Sequence, residues 1–225
     1  MGKITILKET PKNPISLMGH RAGICYGSDV SDDEKNYKRG MDCIESNHGR
    51  VLEFVDVHMV IEGYSARVMR EYTRHIGGST PWLQSSTRYI DYSNFDYIIP
   101  DTINKNEVAR MEYWKEMKFI QDVCGKLIGM GIPKEDVANI LPLGMKTCTV
   151  EKRNLRNLID MSHTRLCSRA YWEFRQLLID IMDALSQYSE EWKTIVETCF
   201  KPKCYIYGYC TESKSCGRKA KKDKQ

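Results

Sequence analysis

Arg74-His75-Ile76-Gly77-Gly78-Ser79-Thr80-Pro81-Trp82-Leu83-Gln84-Ser85-Ser86-Thr87-Arg88-Tyr89 puts an arginine near each end of a stretch rich in glycine and hydroxyl groups. Backbone N–H groups, serine hydroxyls and guanidinium forks are what a phosphate monoester requires, because each lone-pair-rich oxygen needs a fixed donor. The pattern reads as an anion-binding loop. The plainer reading is a polar turn whose arginines are solvated or pair with Glu71. A second group follows later. If the chain is helical there, Asn154, Arg165 and Arg169 share one face, and Arg156, Asp160 and His163 share an adjoining one. Two arginines and an asparagine on one face could hold a polar ring and a phosphate. The ordinary alternative is a charged solvent face with Arg156 and Asp160 as an i,i+4 pair. Trp172 and Glu173 read equally well as a core aromatic and a surface carboxylate.

The elements that must position these residues are partly visible in the apolar spacing. In 54–61, Val55, Val57, Met59 and Ile61 alternate with Asp56 and His58, the period of a half-buried strand. After Gly63 the spacing becomes helical through Tyr64, Val68, Met69, Tyr72 and Ile76, and Gly77-Gly78 should end that helix. Residues 77–89 are then a loop. A second helix is expected from Asn106 to about Gly129, and a short one follows from Pro133 to Pro142. The last helical pattern covers about 151–187, with no glycine or proline that forces a break. One clear strand and several long helices give an α+β or α/β domain with helices in the majority.

A hydrophobic fraction of 41% with 28% charged residues in 225 fits one soluble globular domain better than two. The first residues lack the apolar stretch of a signal peptide, and no run reaches the ~18 apolar residues of a spanning helix. A soluble cytoplasmic protein with no membrane partner is the expectation. Residues 201–225 carry a net +6, which leaves −2 for the first 200 out of a total of +4. Nucleic acid is therefore not the expected partner of the body, and anion binding there must come from local arginines. Nine cysteines scattered through the chain read as reduced thiols. Cys199, Cys204, Cys210 and Cys216 lack the short C-x2-C spacing of most zinc ribbons, so unligated thiols and no metal are expected. The basic end, Arg218 to Lys224, reads as a disordered solubilising tail, with salt-sensitive RNA binding as the sharper alternative.

Four segments in order resemble one known family, the flavin-dependent thymidylate synthases. Arg74-His75 with Ser86-Thr87-Arg88-Tyr89 looks like its Arg-His-Arg and Ser-x-Arg-Tyr signature. Upstream, His48-Gly49-Arg50-Val51-Leu52-Glu53 is similar to its His-Glu-Ser-Val-Leu-Glu segment. Ile140-Leu141-Pro142-Leu143 resembles its Leu-Pro step. Asn154-Leu155-Arg156, Arg165 and Ala170-Tyr171-Trp172-Glu173 resemble its Asn-x-Arg, Arg and Ala-Gln-Trp-Glu helix. The likeness covers roughly residues 45–175, and four segments in order weigh far more than any one.

The resemblance implies an α+β fold, with a curved, largely antiparallel sheet flanked by long helices. It implies a synthase-like domain over 1–198, a cysteine-containing basic tail over 199–225, and a homotetramer with active sites between subunits. The implied reaction is reductive methylation of deoxyuridine monophosphate to thymidine monophosphate, with methylenetetrahydrofolate as carbon donor, FAD as hydride carrier and NADPH as reductant. Carried over by position, the cofactor contacts would be Arg74, His75, Ile76, Gln84, Asn154, Arg156 and Asp160. The nucleotide contacts would be Glu71, Arg74, Gln84, Ser85, Ser86, Thr87, Arg88 and Asn139, with Arg165 catalytic beside the uracil ring. No cysteine nucleophile is implied, and Cys148 and Cys167 read as buried structural thiols.

Departures cluster at the same places. Ile76 replaces the third residue of Arg-His-Arg, two extra residues enter around Pro81-Trp82, and Glu71 stands where a glutamine is usual. Arg50 replaces a small hydroxyl residue, Asn139 a frequent arginine and Asp160 a frequent asparagine. They leave open a related flavoprotein acting on another pyrimidine nucleotide or one-carbon unit, and a non-catalytic nucleotide- or nucleic-acid-binding relative.

Overall fold

The computed structural model describes residues 2–75 and 80–222. Ile76, Gly77, Gly78 and Ser79 lie outside the described residues, and with them the expected glycine stop and the Ile76 cofactor contact. The strands are β1 (Lys3–Ile6), β2 (Asp56–Ser65), β3 (Trp82–Gln84) and β4 (Lys146–Asn154). The helices are α1 (Pro14–Cys25), α2 (Asp33–Glu45), α3 (Ala66–Tyr72), α4 (Asp101–Asn104), α5 (Glu107–Gly129), α6 (Lys134–Val137), α7 (Leu155–Arg165), α8 (Trp172–Tyr188), α9 (Glu190–Cys199) and α10 (Lys203–Tyr207). Among the described residues no helix is long and apolar enough to cross a membrane.

The strands form one sheet in the order β1-β2-β4-β3. Its ladder is antiparallel: Ser85 N–H donates to the Cys148 carbonyl and Lys152 N–H to that of Pro81, so one strand rises as the other falls. Leu155 to Val55 and Ala66 to Met145 repeat the same sense between β4 and β2. This is the α+β class with an antiparallel sheet that the resemblance implies.

The expected alternation in β2 is present, with Val57, Met59 and Ile61 buried. The strand runs further than its spacing suggests, to Ser65, because Gly63 takes φ +77, a left-handed turn of the backbone that side-chain-bearing residues resist. Helix α3 therefore starts at Ala66, where the Ser65 hydroxyl caps the Val68 N–H at 3.1 Å.

The largest correction concerns 151–187, which is not one helix. Residues 146–154 are β4, and the helical part breaks between Arg165 and Trp172. The inward side chains of β4 are Thr147, Thr149, Glu151 and Arg153, all buried. The period is two, but the buried face is polar, which conceals it from an apolar pattern. The break needs no glycine or proline because Arg175, on α8, donates to the Cys167, Ser168 and Ala170 carbonyls at 3.0–3.5 Å. Those acceptors, which a continuing helix would have satisfied internally, are served by a side chain instead. Asn154 caps α7 from outside it and Arg169 lies beyond its end, so the expected shared face of Asn154, Arg165 and Arg169 does not form.

The chain divides into two compact units. One holds Ile61–Thr73 and Leu83–Thr149 with the N-terminal residues through Lys3. Its core gathers Phe95, Met117 and Met145, with Tyr97, Tyr113 and Leu141 packed against them. The other holds Ile4–Val60, Arg74–Trp82 and the chain from Val150 onward. There Leu155, Leu158, Phe174, Leu177, Ile181 and Trp192 are fully buried.

Within the second unit the side chains of Arg153 and Glu151 are only 2% and 0% exposed and pair at 2.9 Å. The pair is bidentate, the Arg153 Nε donating to the other carboxylate oxygen at 3.1 Å. Replacing Arg153 by methionine is expected to destabilise the protein by about 3–5 kcal/mol in denaturant unfolding, since the buried Glu151 loses the guanidinium that answers its charge. The double replacement Glu151→Leu with Arg153→Met should recover most of that loss; no recovery would show that the pair is not what the site depends on.

Candidate active site

The second unit assembles one group of candidate residues around Arg153. Its Nη1 donates to the His75 carbonyl at 2.8 Å and to the Asn157 side-chain oxygen at 2.5 Å. This fixes the backbone at His75 against the first turn of α7. The cap of that helix is Asn154, buried, whose side-chain oxygen accepts from the Asn157 N–H at 2.8 Å.

At the other end of α7, the Arg165 Nε donates to His75 Nε2 at 2.9 Å. An imidazole nitrogen that accepts is unprotonated, so the neutral ring carries its proton on Nδ1. Four influences hold it neutral. Burial comes first, then the charges of Arg165, Arg153 and Arg74, and together they push the His75 pKa down to about 4. The Arg165 guanidinium lies 4.8 Å from the centre of the Phe174 ring, and that ring meets His75 edge-on at 5.6 Å. Arg165 is thus positioned by a neutral acceptor on one side and an aromatic face on another.

Two of the four family-like segments meet beside this group. Glu53, from His48–Glu53, takes Arg156 Nη1 at 2.6 Å on one oxygen and Arg50 Nη1 at 2.9 Å on the other. The Arg156 hydrogen bond, with that of Arg50, holds the Glu53 carboxyl below its usual range. Arg156 therefore pairs with Glu53 and not with Asp160. Asp160 is exposed, and its negative charge partly offsets the burial that lowers the His163 pKa. Glu173, read as a surface carboxylate, is buried and accepts from the Tyr171 hydroxyl at 3.0 Å.

The first unit assembles the loop candidates. Ser85 closes the β3–β4 ladder through its N–H and also donates its hydroxyl to the Cys148 carbonyl at 3.2 Å. The Gln84 amide donates to the Thr147 hydroxyl at 3.1 Å. Past the strand, the Ser86 hydroxyl accepts from the Arg88 N–H at 3.2 Å, while Thr87 and Arg88 are exposed. The Arg88 Nε lies 2.8 Å from a Glu135 oxygen, with 65% and 53% of the two side chains exposed. Such a pair contributes roughly 0–1 kcal/mol, so a phosphate could replace Glu135 as the partner of Arg88 at little cost. Asn139 donates to the Glu135 and Asp136 carbonyls, tying off α6 beside the same pair. Glu71 lies half-buried at the end of α3. Cys148 has its thiol pushed up by burial, as suits a structural residue.

A family model described as thymidylate synthase complementing protein matches residues 5–189. The chain belongs to the flavin-dependent thymidylate synthase family. As a member it is an enzyme. A flavin-dependent thymidylate synthase of Geobacter sulfurreducens is 30% identical over 232 residues, covering 97% of this chain and 95% of that protein. The Pyrococcus horikoshii one is 32% identical over 224 residues, covering 94% and 90%. Among solved structures, the Helicobacter pylori family member ThyX, complexed with FAD and dUMP, aligns with a TM-score of 0.70 at 18% identity, covering 88% of this chain and all of that one. The UMP/dUMP methylase PolB of Streptomyces cacaoi, bound with 5-Br dUMP, aligns at 0.72 and 12% identity, covering 88% and 96%. At those identities the two structures speak for the fold alone.

Sequence reasoning in this family member missed Arg153, Glu151, Phe174 and Glu135. The first two stand at alternate positions of β4, a signal present but polar; Phe174 looked like any core residue of α8. Glu135 sits 47 residues from Arg88, and nothing local marks it.

The depressed His75 pKa has a defined consequence for stability. Between about pH 6.5 and 4 the unfolded chain binds a proton at His75 that the folded one does not, so the unfolded state gains as pH falls. The stability contributed by the neutral ring is fully present above 6.5 and lost through that window. Compared with His75→Gln, the wild-type protein should show a steeper fall in unfolding midpoint from pH 6.5 to 4; parallel curves would contradict the assignment.

Proposed function

We propose that the chain reductively methylates deoxyuridine monophosphate at C5 of uracil to give thymidine monophosphate, taking the carbon from methylenetetrahydrofolate, with FAD as hydride carrier and NADPH as reductant. The observation that carries this reading is Arg165, positioned at the end of α7 by the neutral His75 ring and the face of Phe174. A guanidinium so placed beside the uracil ring stabilises the negative charge that develops as C5 becomes nucleophilic. The neutral His75 orients it without neutralising it.

The donor set suits a flavin nucleotide. Arg74, Asn154 and Arg156 would hold it, together with the His75 ring, and Thr80 offers a buried hydroxyl oxygen with no hydrogen-bond partner among the described residues. Cationic and amide donors fit a pyrophosphate and the polar edge of an isoalloxazine ring. When bound, the flavin supplies the hydride equivalents of the reaction. The protein's own residues bind and orient. Ser86, the Thr87 N–H and Arg88 take the nucleotide phosphate, with Gln84 and Ser85 shaping that loop from the strand edge. Asn139 supports it through α6. Glu71 stands near the nucleotide as a negative charge that Arg67 or Arg74 must offset. We further propose Asp160 on the flavin side, a homotetramer with sites between subunits, a cytoplasmic location, a synthase domain over 1–198 and an appended tail over 199–225.

The decisive experiment is product analysis after anaerobic incubation with FAD, NADPH, methylenetetrahydrofolate and deoxyuridine monophosphate, with uridine monophosphate in a parallel arm. Thymidylate from the first arm supports the reading; a methylated ribonucleotide alone would replace it with a different pyrimidine substrate. Protein that takes up no flavin would remove it.

Arg165→Ala should lower thymidylate formation by roughly 10²–10³-fold while flavin stays bound, because only charge stabilisation at the ring is lost. Retained turnover would overturn the role of Arg165. For Arg88→Ala, titration calorimetry with deoxyuridine monophosphate should show affinity weakened by about 1.5–3 kcal/mol, the worth of a charged hydrogen bond. An unchanged dissociation constant would remove Arg88 from the phosphate.

A further inference from the structure

The C-terminal segment has no part in the proposed reaction, yet its described residues are folded. Cys210 N–H donates to the Ala220 carbonyl, Arg218 donates to the Leu166 carbonyl at 3.3 Å, and Arg169 pairs with Glu212 at 3.4 Å. The expectation of a disordered end is corrected as far as Lys222. Between this segment and the end of α7 lies a cavity of about 140 Å³ lined by Cys167, Cys204, Cys210 and Cys216. Four thiols from three stretches of chain thus face one volume, and all four are free. Among the described residues no group of three or more His, Cys, Asp or Glu side chains is arranged to hold a metal ion. Thiol chemistry is what the arrangement offers.

The four are not equivalent. Cys210 is buried, Cys167 and Cys204 are half-buried, and Cys216 is exposed. Hydrogen bonds from the Ser168 side chain and then the Arg218 N–H favour the Cys216 thiolate, with the Arg218 charge adding to them, and its thiol is held below the ordinary range. Lys203 and Lys219 line the same cavity, while the nearby Glu212 carboxylate is already paired with Arg169. The accessible thiol is therefore also one whose ionised form its surroundings favour. Arg218 donates to the Leu166 carbonyl at 3.3 Å and Arg169 to the Lys214 carbonyl at 3.4 Å, so the residues flanking Cys216 are joined to those flanking Cys167 across the cavity that both thiols line.

We infer that Cys216 and Cys167 are a reversible thiol pair, oxidised by a peroxide to a disulfide that fastens the C-terminal segment to the end of α7. The Cys216 thiolate attacks one peroxide oxygen, the O–O bond breaks, and hydroxide leaves to become water. The sulfenic acid formed on Cys216 is then attacked by the Cys167 sulfur, the S–O bond breaks, and a second water leaves. The two thiols give up two electrons and two protons, and one peroxide becomes two waters. Dithiol reductants reverse the bond by exchange. Cys167 lies two residues beyond Arg165, so the bond would form on the connection that follows the proposed catalytic arginine.

The test uses the full chain, reduced, freed of reductant and treated with equimolar hydrogen peroxide, then digested with trypsin without reduction. Cleavage separates Leu166–Arg169 from Ser215–Arg218 and puts Cys204 and Cys210 together in Cys204–Lys214, so a bond from Cys216 to Cys167 differs in mass from a bond to either of those two. The expected product is Leu166–Arg169 joined to Ser215–Arg218, absent after dithiothreitol and absent in Cys216→Ser. In Cys167→Ser, a dione reagent should trap the sulfenic acid on Cys216. Ser168→Ala should slow alkylation of Cys216 by iodoacetamide at neutral pH severalfold, because losing the hydroxyl that favours the thiolate lowers the reactive fraction. A bond from Cys216 to Cys204 or Cys210 would overturn the pairing. Unmodified Cys216 beside other oxidised cysteines, or no oxidation at all, would overturn the inference itself.

Discussion

A positive charge removed from water must be answered on every donor, and Arg153 is answered on three sides. Glu151 takes its charge, the Asn157 side chain takes a third hydrogen bond, and the His75 carbonyl takes a fourth. An ion pair of this kind contributes little net stability, because desolvation offsets its attraction. Its effect is positional. The same guanidinium that neutralises β4's inward carboxylate holds the chain at His75 and the first turn of α7 in register, and both elements that carry the second unit's candidate residues hang from it.

The electrostatics of the group follow from that arrangement. Arg153 pairs with Glu151 and Arg156 with Glu53, and Arg165 meets a neutral imidazole and an aromatic ring. Burial and neighbouring guanidinium groups keep His75 unprotonated across the physiological range. Were it charged, it could not accept from Arg165, and two cations would repel where one is wanted. The exposed Arg88–Glu135 pair in the first unit works on a different principle: it holds its arginine loosely, in a form that exchange with a ligand can replace.

How much of this was legible depended on which forces wrote it. Strand β2 could be read because its inward residues are apolar and its outward ones are not. Strand β4 could not, since threonine, glutamate and arginine occupy its inward positions and only the tertiary pairing with β2 and β3 makes them inward. The break after Arg165 was invisible for a similar reason: its carbonyls are satisfied by Arg175 from the following helix, not by a local glycine. Among the candidate residues, His75, Arg88 and Arg165 were visible from residue type and from a family-like order of segments. Their supports, Phe174 and Glu135, were not, because an ordinary core phenylalanine and an ordinary surface glutamate acquire meaning only from what the fold sets beside them.

Arg165 is the last residue of α7, where the backbone turns carbonyl oxygens outward. The negative end of a helix makes a cation comfortable and repels an anion. Many phosphate sites use the opposite end, where peptide N–H groups share the work and no single side chain is indispensable. Here the peptide backbone can offer no such help. At this point the protein presents a planar, five-donor group, and lysine, with its compact ammonium, would bring the charge without the fork whose Nε donates to His75.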